Sequence, residues 1–502
     1  MTSNGAGGAT ALATLKNYVA GEWRQPASTA SREVVNPATG EPISVVPISG
    51  PEDLDAAVAS ARGSLPSWRA TATSSRVAHL FALRELMRQR QDDLARSITT
   101  EMGKTLGDAA AEVGRAIEMV ECATAATTTM QGRNLENVAR NVDCETVRQP
   151  VGVCAAIVPF NFPLMVPFWF LPFAIATGNC FVLKPSEVVP NTMNLAFELL
   201  EEAGVPAGVA NLVNGDKTVA EGILDHPGID AVSFVGSAPV ARHVYSRAAA
   251  NGKRVQALGG AKNFMVVMPD CDLDRTVAGL IGSAFGAAGQ RCMAGSVVVA
   301  VGDVYERLLA ALTEATEAIA VGNGLDAEVE MGPVVSGAAC WGIEGWIERG
   351  VEEGARAALD GRGNVRGAGS FVGPTILDGV RPEMAVAQEE IFGPVLCLMR
   401  ADDLGEAIEM VNGSRFGNGT SIFTESGAAV RRYRHDVEAG MIGVNIGVAA
   451  PVAFFPFSGW KESFFGDLHA HGPDAVDFYT RKKTVTTRYF SQQPTGSFFT
   501  DK

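Results

Sequence analysis

One of the eight cysteines in this 502-residue chain sits where nucleophilic chemistry is easily built. The run Phe285-Gly-Ala-Ala-Gly-Gln-Arg-Cys292-Met-Ala sets Cys292 after a turn of small residues and directly beside Arg291. A cysteine is nucleophilic only as its thiolate, and a neighbouring positive charge is one way to lower its pKa. The run therefore predicts an exposed, activated thiolate. The other seven cysteines (Cys122, Cys144, Cys154, Cys180, Cys271, Cys340, Cys397) form no CxxC pair and are too sparse for a disulfide framework. They read as structural, in a reducing cytoplasm.

Two further stretches frame that cysteine: Gln256-Ala-Leu-Gly-Gly-Ala-Lys-Asn-Phe-Met-Val-Val-Met-Pro-Asp270 ahead of it and Glu389-Glu-Ile-Phe-Gly-Pro394 behind it. In this order the three resemble the aldehyde dehydrogenase superfamily, and within it the methylmalonate-semialdehyde dehydrogenases, which pass the acyl group to coenzyme A. Phe457-Ser-Gly-Trp-Lys-Glu-Ser-Phe-Phe-Gly-Asp-Leu-His-Ala-His-Gly472 and Phe478-Tyr-Thr-Arg-Lys-Lys-Thr-Val resemble the C-terminal signature of the same subfamily. The resemblance spans about Tyr18 to Tyr489.

That resemblance implies a set of roles. Cys292 attacks the aldehyde, and Asn161, in Pro159-Phe-Asn-Phe-Pro-Leu, donates with the Cys292 backbone N–H to the oxyanion while hydride leaves for the nicotinamide of NAD. Phe160, Lys184, Glu187, Gly236, Ser237, Glu390 and Phe392 match positions that hold the cofactor. Lys184-Pro-Ser-Glu187 follows an apolar run, as the ribose-contacting pair does, and Glu187 would repel a 2′-phosphate, favouring NAD over NADP. Phe234-Val-Gly-Ser237 precedes a helix whose terminal amides would face the pyrophosphate. Arg291 and Arg115, in Glu112-Val-Gly-Arg-Ala-Ile-Glu, match the pair that binds the substrate carboxylate, for which a planar guanidinium is suited.

The subclass turns on an absence. Hydrolytic relatives carry a Glu in a Glu-Leu-Gly-Gly segment to activate water. Here Ala257-Leu-Gly-Gly stands in its place, and Gln256 to Pro269 holds no carboxylate. A coenzyme A thiol is far more acidic than water, so thiolysis loses less without that base. The expected reaction is NAD-dependent oxidation of methylmalonate or malonate semialdehyde through a Cys292 thioester. Acyl transfer to coenzyme A with decarboxylation then gives propionyl- or acetyl-coenzyme A, CO2 and NADH. Two alternatives stand beside it: a coenzyme A-independent NAD-dependent dehydrogenase of another acid-bearing aldehyde, and a non-catalytic structural or binding homologue. Phe264, where a His is expected, and Gly447-Val-Ala-Ala-Pro451, which lacks an early proline, depart from the subfamily pattern.

The elements that must position these residues are also written in the chain. Apolar β-rich runs alternate with helical stretches from 150 to 270 (Ala155-Ala-Ile-Val, Cys180-Phe-Val-Leu-Lys, Ala210-Asn-Leu-Val, Ala231-Val-Ser-Phe-Val, Phe264-Met-Val-Val-Met). The pattern returns from Ser296 to Asn445, with helices over Val304 to Ala320 and Leu404 to Asn412. Alternation of that kind predicts parallel βαβ units. The fold class is thus α/β, aldehyde dehydrogenase-like, with two open parallel-sheet (Rossmann-like) domains and a small β oligomerisation extension. Residues 1–133 and 152–258 form the NAD-binding domain, 259–466 the catalytic domain, and 134–151 with 467–502 the oligomerisation segments. Long helices are expected over Ser74 to Thr100 and Met102 to Thr129, a further helix from Pro163, and a structural role for Asn445. The resemblance implies a homo-oligomer, a dimer of dimers.

Composition excludes other classes. A net charge of −15 and a longest basic run of Arg481-Lys-Lys483 leave no nucleic-acid surface. Pro150 to Leu183 carries no charge, but its prolines at 159, 163, 167 and 172 would break a membrane helix repeatedly. His469-x-His471 has no third ligand at matching spacing beyond Asp467, so no metal is expected. Met1 to Thr14 and Ser491 to Lys502 read as tails, the first without the features of a signal peptide.

Overall fold

The computed structural model describes residues 12–363 and 368–490. Most of the two expected tails lies outside that range, but Ala13–Thr14 is a short strand parallel to Pro42–Pro47.

Two large sheets carry the molecule. The first runs, edge to edge, Phe464–Phe465, Arg254–Leu258, Ala231–Val235, Val153–Ile157, Cys180–Lys184, Ala210–Leu212, Asn17–Val19 and Glu22–Arg24. Its five central strands are parallel, and antiparallel pairs close both edges. Val153–Ile157, Cys180–Lys184 and Ala231–Val235 are buried at every position, which is why they are mostly apolar, with only Lys184 and Ser233 polar, rather than alternating. The chain lays down Val153–Ile157, builds outward on one side, then returns to build on the other with Ala231–Val235. That reversal leaves a crevice at the carboxyl ends of those two strands, where open α/β sheets take ligands. Pro159-Phe-Asn161 follows the first strand and Gly236-Ser237 the second.

The second sheet has the order Arg356–Leu359, Thr375–Asp378, Val395–Ala401, Gly295–Val301, Asn263–Val267, Gly419–Phe423, Met441–Val444, and only its first strand is antiparallel. Cys292 lies just before the amino end of Gly295–Val301, so the amino edge of this sheet faces the crevice of the first.

A third sheet of three antiparallel strands joins Asn134–Ala139, Val142–Pro150 and Thr480–Arg488, the last two paired along their whole length. Leu135 and Val138 on it are exposed. Two segments depart from the sequence division. Phe464–Phe465, counted with 259–466, pairs with Arg254–Leu258 and so extends the first sheet. Gly472–Phe478, grouped with the 467–502 segment, is a helix packed on Leu171–Ala176; residues 491–502 of that segment lie outside the described range.

The helices also divide more finely than apolar spacing suggests. Ser74 to Thr100 is two helices, Thr73–Gln89 and Gln91–Met102, meeting at Arg90. Gly103 then turns left-handed at φ +98°, in a site where a Cβ would meet Pro333 Cγ at 2.7 Å. The Thr105 hydroxyl accepts from Asp108 N at 3.2 Å and opens the helix Leu106–Thr124. Helix propensity alone does not register that break. The helix expected from Pro163 begins at Met165, because Pro163 is spent in the preceding turn. Among the described residues no helix is long and apolar enough to cross a membrane.

Candidate active site

Cys292 sits at the end of a strained turn. Ala287, Ala288 and Gly289 take φ of 50°, 52° and 70° in succession. The left-handed region costs a non-glycine residue about 1 kcal/mol or more, so two alanines there need support. Asp108, from the first turn of Leu106–Thr124, accepts from Ala287 N at 3.0 Å with one oxygen and from Arg291 Nη2 at 2.6 Å with the other. Gly289 must be glycine, since a Cβ would lie 2.1 Å from Gly393 O. Beyond the turn, the Cys292 carbonyl accepts from the side-chain amides of Asn263 and Asn418 at 2.9 and 3.0 Å. The same Asn263 amide also reaches Ala294 O at 2.9 Å.

This geometry corrects the expected activation of Cys292 by Arg291. The guanidinium is committed to Asp108, and the thiol is only partly reachable from the cleft. Loss of solvation, then the Glu390 carboxylate, push the thiol up to about 12; the Cys292 and Met293 backbone N–H groups and Arg291 pull the other way more weakly. The resting cysteine is a protonated thiol.

Asn161 stands beside it. Its Nδ2 donates to Gln290 O at 3.0 Å, leaving a second N–H for an oxyanion. Its own carbonyl accepts from Lys104 Nζ at 2.7 Å. Lys104 and Glu112 form a fully buried ion pair at 2.7 Å, and the ammonium lies 4.1 Å from the centre of the Phe162 ring. The second oxygen of Glu112 accepts from Leu164 N and Met165 N at 2.9 and 3.1 Å. The 160–165 loop is therefore clamped from below by one helix and the lysine that precedes it.

The expected cofactor residues are collected along the crevice. Lys184 Nζ meets Glu187 Oε2 at 2.9 Å just past the carboxyl end of its strand. Burial works against the Glu187 charge, but the Lys184 ammonium outweighs it and holds the carboxyl below its usual range. Ser237 starts the helix Ala238–Ala250 without capping it by its side chain, so the terminal amides stay free. A Cβ on Gly236 would touch the Phe234 ring at 2.5 Å. Glu390, Phe392 and Cys292 line one pocket. Glu390 accepts from Ala261 N at 3.1 Å, and burial raises it to about 7. Phe392 is left-handed at φ 57°, and its ring stands edge-on to Phe160 at 5.8 Å. A ribose diol at Lys184–Glu187, a diphosphate at the free amides and a ring against Cys292 fit this layout in the order of a dinucleotide.

On the other face of Cys292 is a cavity of about 70 Å³ lined by Arg115, Met119, Trp169, Arg291, Phe457 and His471 among others. Arg115 and Arg291 thus meet across one small space despite lying far apart in sequence. Each is held by a carboxylate of the chain itself, Arg115 by Glu118 at 2.8 Å and Arg291 by Asp108. Val448, Ala450 and Pro451, from the loop that departs from the subfamily pattern, line the same space, whereas Phe264 is buried in the second core. A larger apolar hollow of about 320 Å³ lies elsewhere, between Cys122, Phe173, Phe454 and Val476, and none of the residues expected at the site lines it. Asn445 bonds Thr424 N and O and is structural.

Asp108, Lys104, Glu112, Asn263, Asn418 and His471 were not singled out as site residues by sequence. Asp108, Glu112, Arg115 and Met119 do recur at intervals of four, three and four, one face of a helix, and that spacing was available as a signal.

The chain matches the aldehyde dehydrogenase family over residues 23–485. A malonate-semialdehyde dehydrogenase of Geobacillus kaustophilus is 52% identical over 482 residues, 96% of this chain and all of that protein. One from Halalkalibacterium halodurans is 50% identical, over 95% and 98% of the two chains. Among solved structures, the methylmalonate-semialdehyde dehydrogenase of Oceanimonas doudoroffii is 44% identical with a TM-score of 0.94, over 96% and 99% of the chains. A structure from Sinorhizobium meliloti, solved in complex with NAD, is 42% identical with the same TM-score and coverage. With the turn, the crevice and the thiol in one place, these matches establish that the chain belongs to the aldehyde dehydrogenase family.

Proposed function

We propose that the protein oxidises malonate or methylmalonate semialdehyde with NAD and delivers the acyl group to coenzyme A. One observation carries this reading: Cys292, Arg115 and Arg291 line a single small cavity whose walls hold no carboxylate. Two guanidiniums suit an acid-bearing substrate, and the missing carboxylate disfavours water as acceptor. The relatives' names point to the same substrates.

The residues divide the work. Arg115 and Arg291 hold the carboxylate, exchanging part of their internal pairing for it, and so aim the aldehyde carbon at Sγ. Once Cys292 has given its proton to solvent water, its sulfur bonds to that carbon, and the oxyanion takes its hydrogen bonds from Asn161 Nδ2 and the Cys292 N–H. NAD, held by Lys184, Glu187, Gly236, Ser237, Glu390 and Phe392 with Phe160 behind, accepts the hydride when bound. A thioester remains on Cys292. Its carbonyl lies β to the carboxylate, so the bond between the carboxylate carbon and its neighbour breaks, CO2 leaves, the electron pair passes into the thioester as an enolate, and a proton from water replaces the CO2. The coenzyme A thiolate then attacks the thioester and releases the Cys292 thiolate.

Glu187 opposes a 2′-phosphate and favours NAD over NADP. Free thiols throughout suit a reducing cytoplasm. The three-stranded sheet with its exposed Leu135 and Val138 supports assembly into a dimer of dimers, with 1–133 and 152–258 as cofactor domain and 259–466 carrying the nucleophile. A second reading, hydrolysis without coenzyme A, has one observation in its favour: Glu390, raised to about 7, shares a pocket with Cys292 and could serve as a base.

Intact-protein and peptide mass spectrometry after mixing enzyme, NAD and malonate semialdehyde without coenzyme A tests the reading. An acyl adduct on the Cys292 peptide, released as acetyl-coenzyme A when coenzyme A is added, is the expected result. An adduct on another residue, or an adduct that coenzyme A does not release, contradicts it.

A further inference from the structure

His471 sits in a stretch whose two histidines suggest a metal pair, yet the fold separates them. His469 bonds Asp474 and lies against Phe464, while His471 enters the wall of the substrate cavity. Its ring is packed edge-on to Trp169 at 5.5 Å and to Phe457 at 6.1 Å, and the residue is 1% exposed. Phenylalanine would serve such packing as well.

What phenylalanine would lack is a ring N–H. The buried Nδ1 of His471 has no hydrogen-bond partner, and neither has the buried Nε1 of Trp169 beside it. Burial is the largest influence on the imidazole and lowers it to about 4, against the Phe455 and Ala453 carbonyls and the Glu118 carboxylate, which favour a charged ring. His471 is therefore neutral near pH 7, with one donor and one acceptor nitrogen. Buried polar groups in folded proteins are nearly always paired, and an orphan is destabilising. Two neighbouring orphans in the wall of one cavity, with Arg115 and Arg291 across it, mark a place where a ligand supplies the missing partner.

We propose that His471 is a specificity-determining residue of this cavity, its imidazole N–H joining Arg115 and Arg291 as a third donor to the substrate carboxylate. The inference rests on the reading of the substrate as an acid-bearing aldehyde. A neutral donor adds directional recognition without adding a third positive charge, and the Trp169 indole fixes the ring that carries it.

The test is the ratio of kcat/KM for malonate semialdehyde to kcat/KM for propanal, which lacks the carboxylate. It is measured in the wild type, in His471→Phe, which keeps the ring and loses the donor, and in His471→Asn, which keeps a donor. Trp169→Phe is carried alongside, and NAD binding shows that each variant is folded. The expected result is a ratio about tenfold lower in His471→Phe, the size of one lost hydrogen bond to a charged group, with much of it regained in His471→Asn. A wild-type ratio in His471→Phe, or an equal fall in both variants, overturns the proposal. Should the wild type itself show no preference for the semialdehyde, the underlying substrate reading fails instead. If His471→Phe does not fold, an unchanged inhibition by malonate in His471→Asn together with an unchanged ratio in Trp169→Phe overturns the proposal.

Discussion

A cysteine protonated at rest is an unusual choice of nucleophile, and its surroundings explain how it is kept. Protein walls and Glu390 raise the Cys292 thiol, while Arg291, paired with Asp108, lowers it only weakly. The sign of the consequence is fixed: the thiol's pKa is raised, so the reactive fraction is small at neutrality and grows as pH rises. The rate of Cys292 alkylation by iodoacetamide in the cofactor-free enzyme should climb about tenfold per pH unit from 7 to 10 without levelling. A plateau near neutrality would show a thiolate that this geometry does not provide. At this scale the motif residues were legible because each lies in a short run with an unusual composition. Asp108 and His471 were not, because what they do depends on partners more than a hundred residues away. Arg291 lowers the thiol only weakly, since adjacency in sequence says nothing about which carboxylate a side chain reaches.

The helix Leu106–Thr124 does more to organise the site than any other element. Along one face it presents Asp108 to the nucleophile turn, Glu112 to the loop that carries Asn161, and Arg115 and Met119 to the cavity. Glu118, from the same helix, accepts from Ala453 N at 3.3 Å. Removing one member of the buried Lys104–Glu112 pair leaves the other charged and dry. Lys104→Met should therefore lower stability by about 3–5 kcal/mol in chemical denaturation, whereas the double change Lys104→Met with Glu112→Leu should recover part of it. Equal stability of the single variant and the wild type would contradict the clamp. Strands such as Cys180–Lys184 and Ala231–Val235 could be read to the residue, since burial on both faces favours mostly apolar runs without alternation. Ser31–Val35 and Arg356–Leu359 could not, because edge strands alternate or carry charge. The break at Arg90 and the start at Thr105 depend on local turns that apolar spacing does not record.

At the scale of the whole molecule, two open sheets face each other across one cleft, one offering its carboxyl edge to the cofactor and the other its amino edge to the nucleophile. The division into two α/β halves was visible in the alternation of runs. The crossing of Phe464–Phe465 back to the first sheet was not, because a two-residue strand carries no periodicity. In this arrangement Cys292 is only partly exposed, and no carboxylate lines the cavity beside it to direct water there. The choice of acceptor is thus the central claim. It is tested most directly by following NADH formation from malonate and methylmalonate semialdehydes with and without coenzyme A, with Cys292→Ala as control. The account predicts sustained turnover only with coenzyme A, a single equivalent of NADH per Cys292 without it, and none in the variant. Equal sustained turnover without coenzyme A would contradict it and assign the base to Glu390.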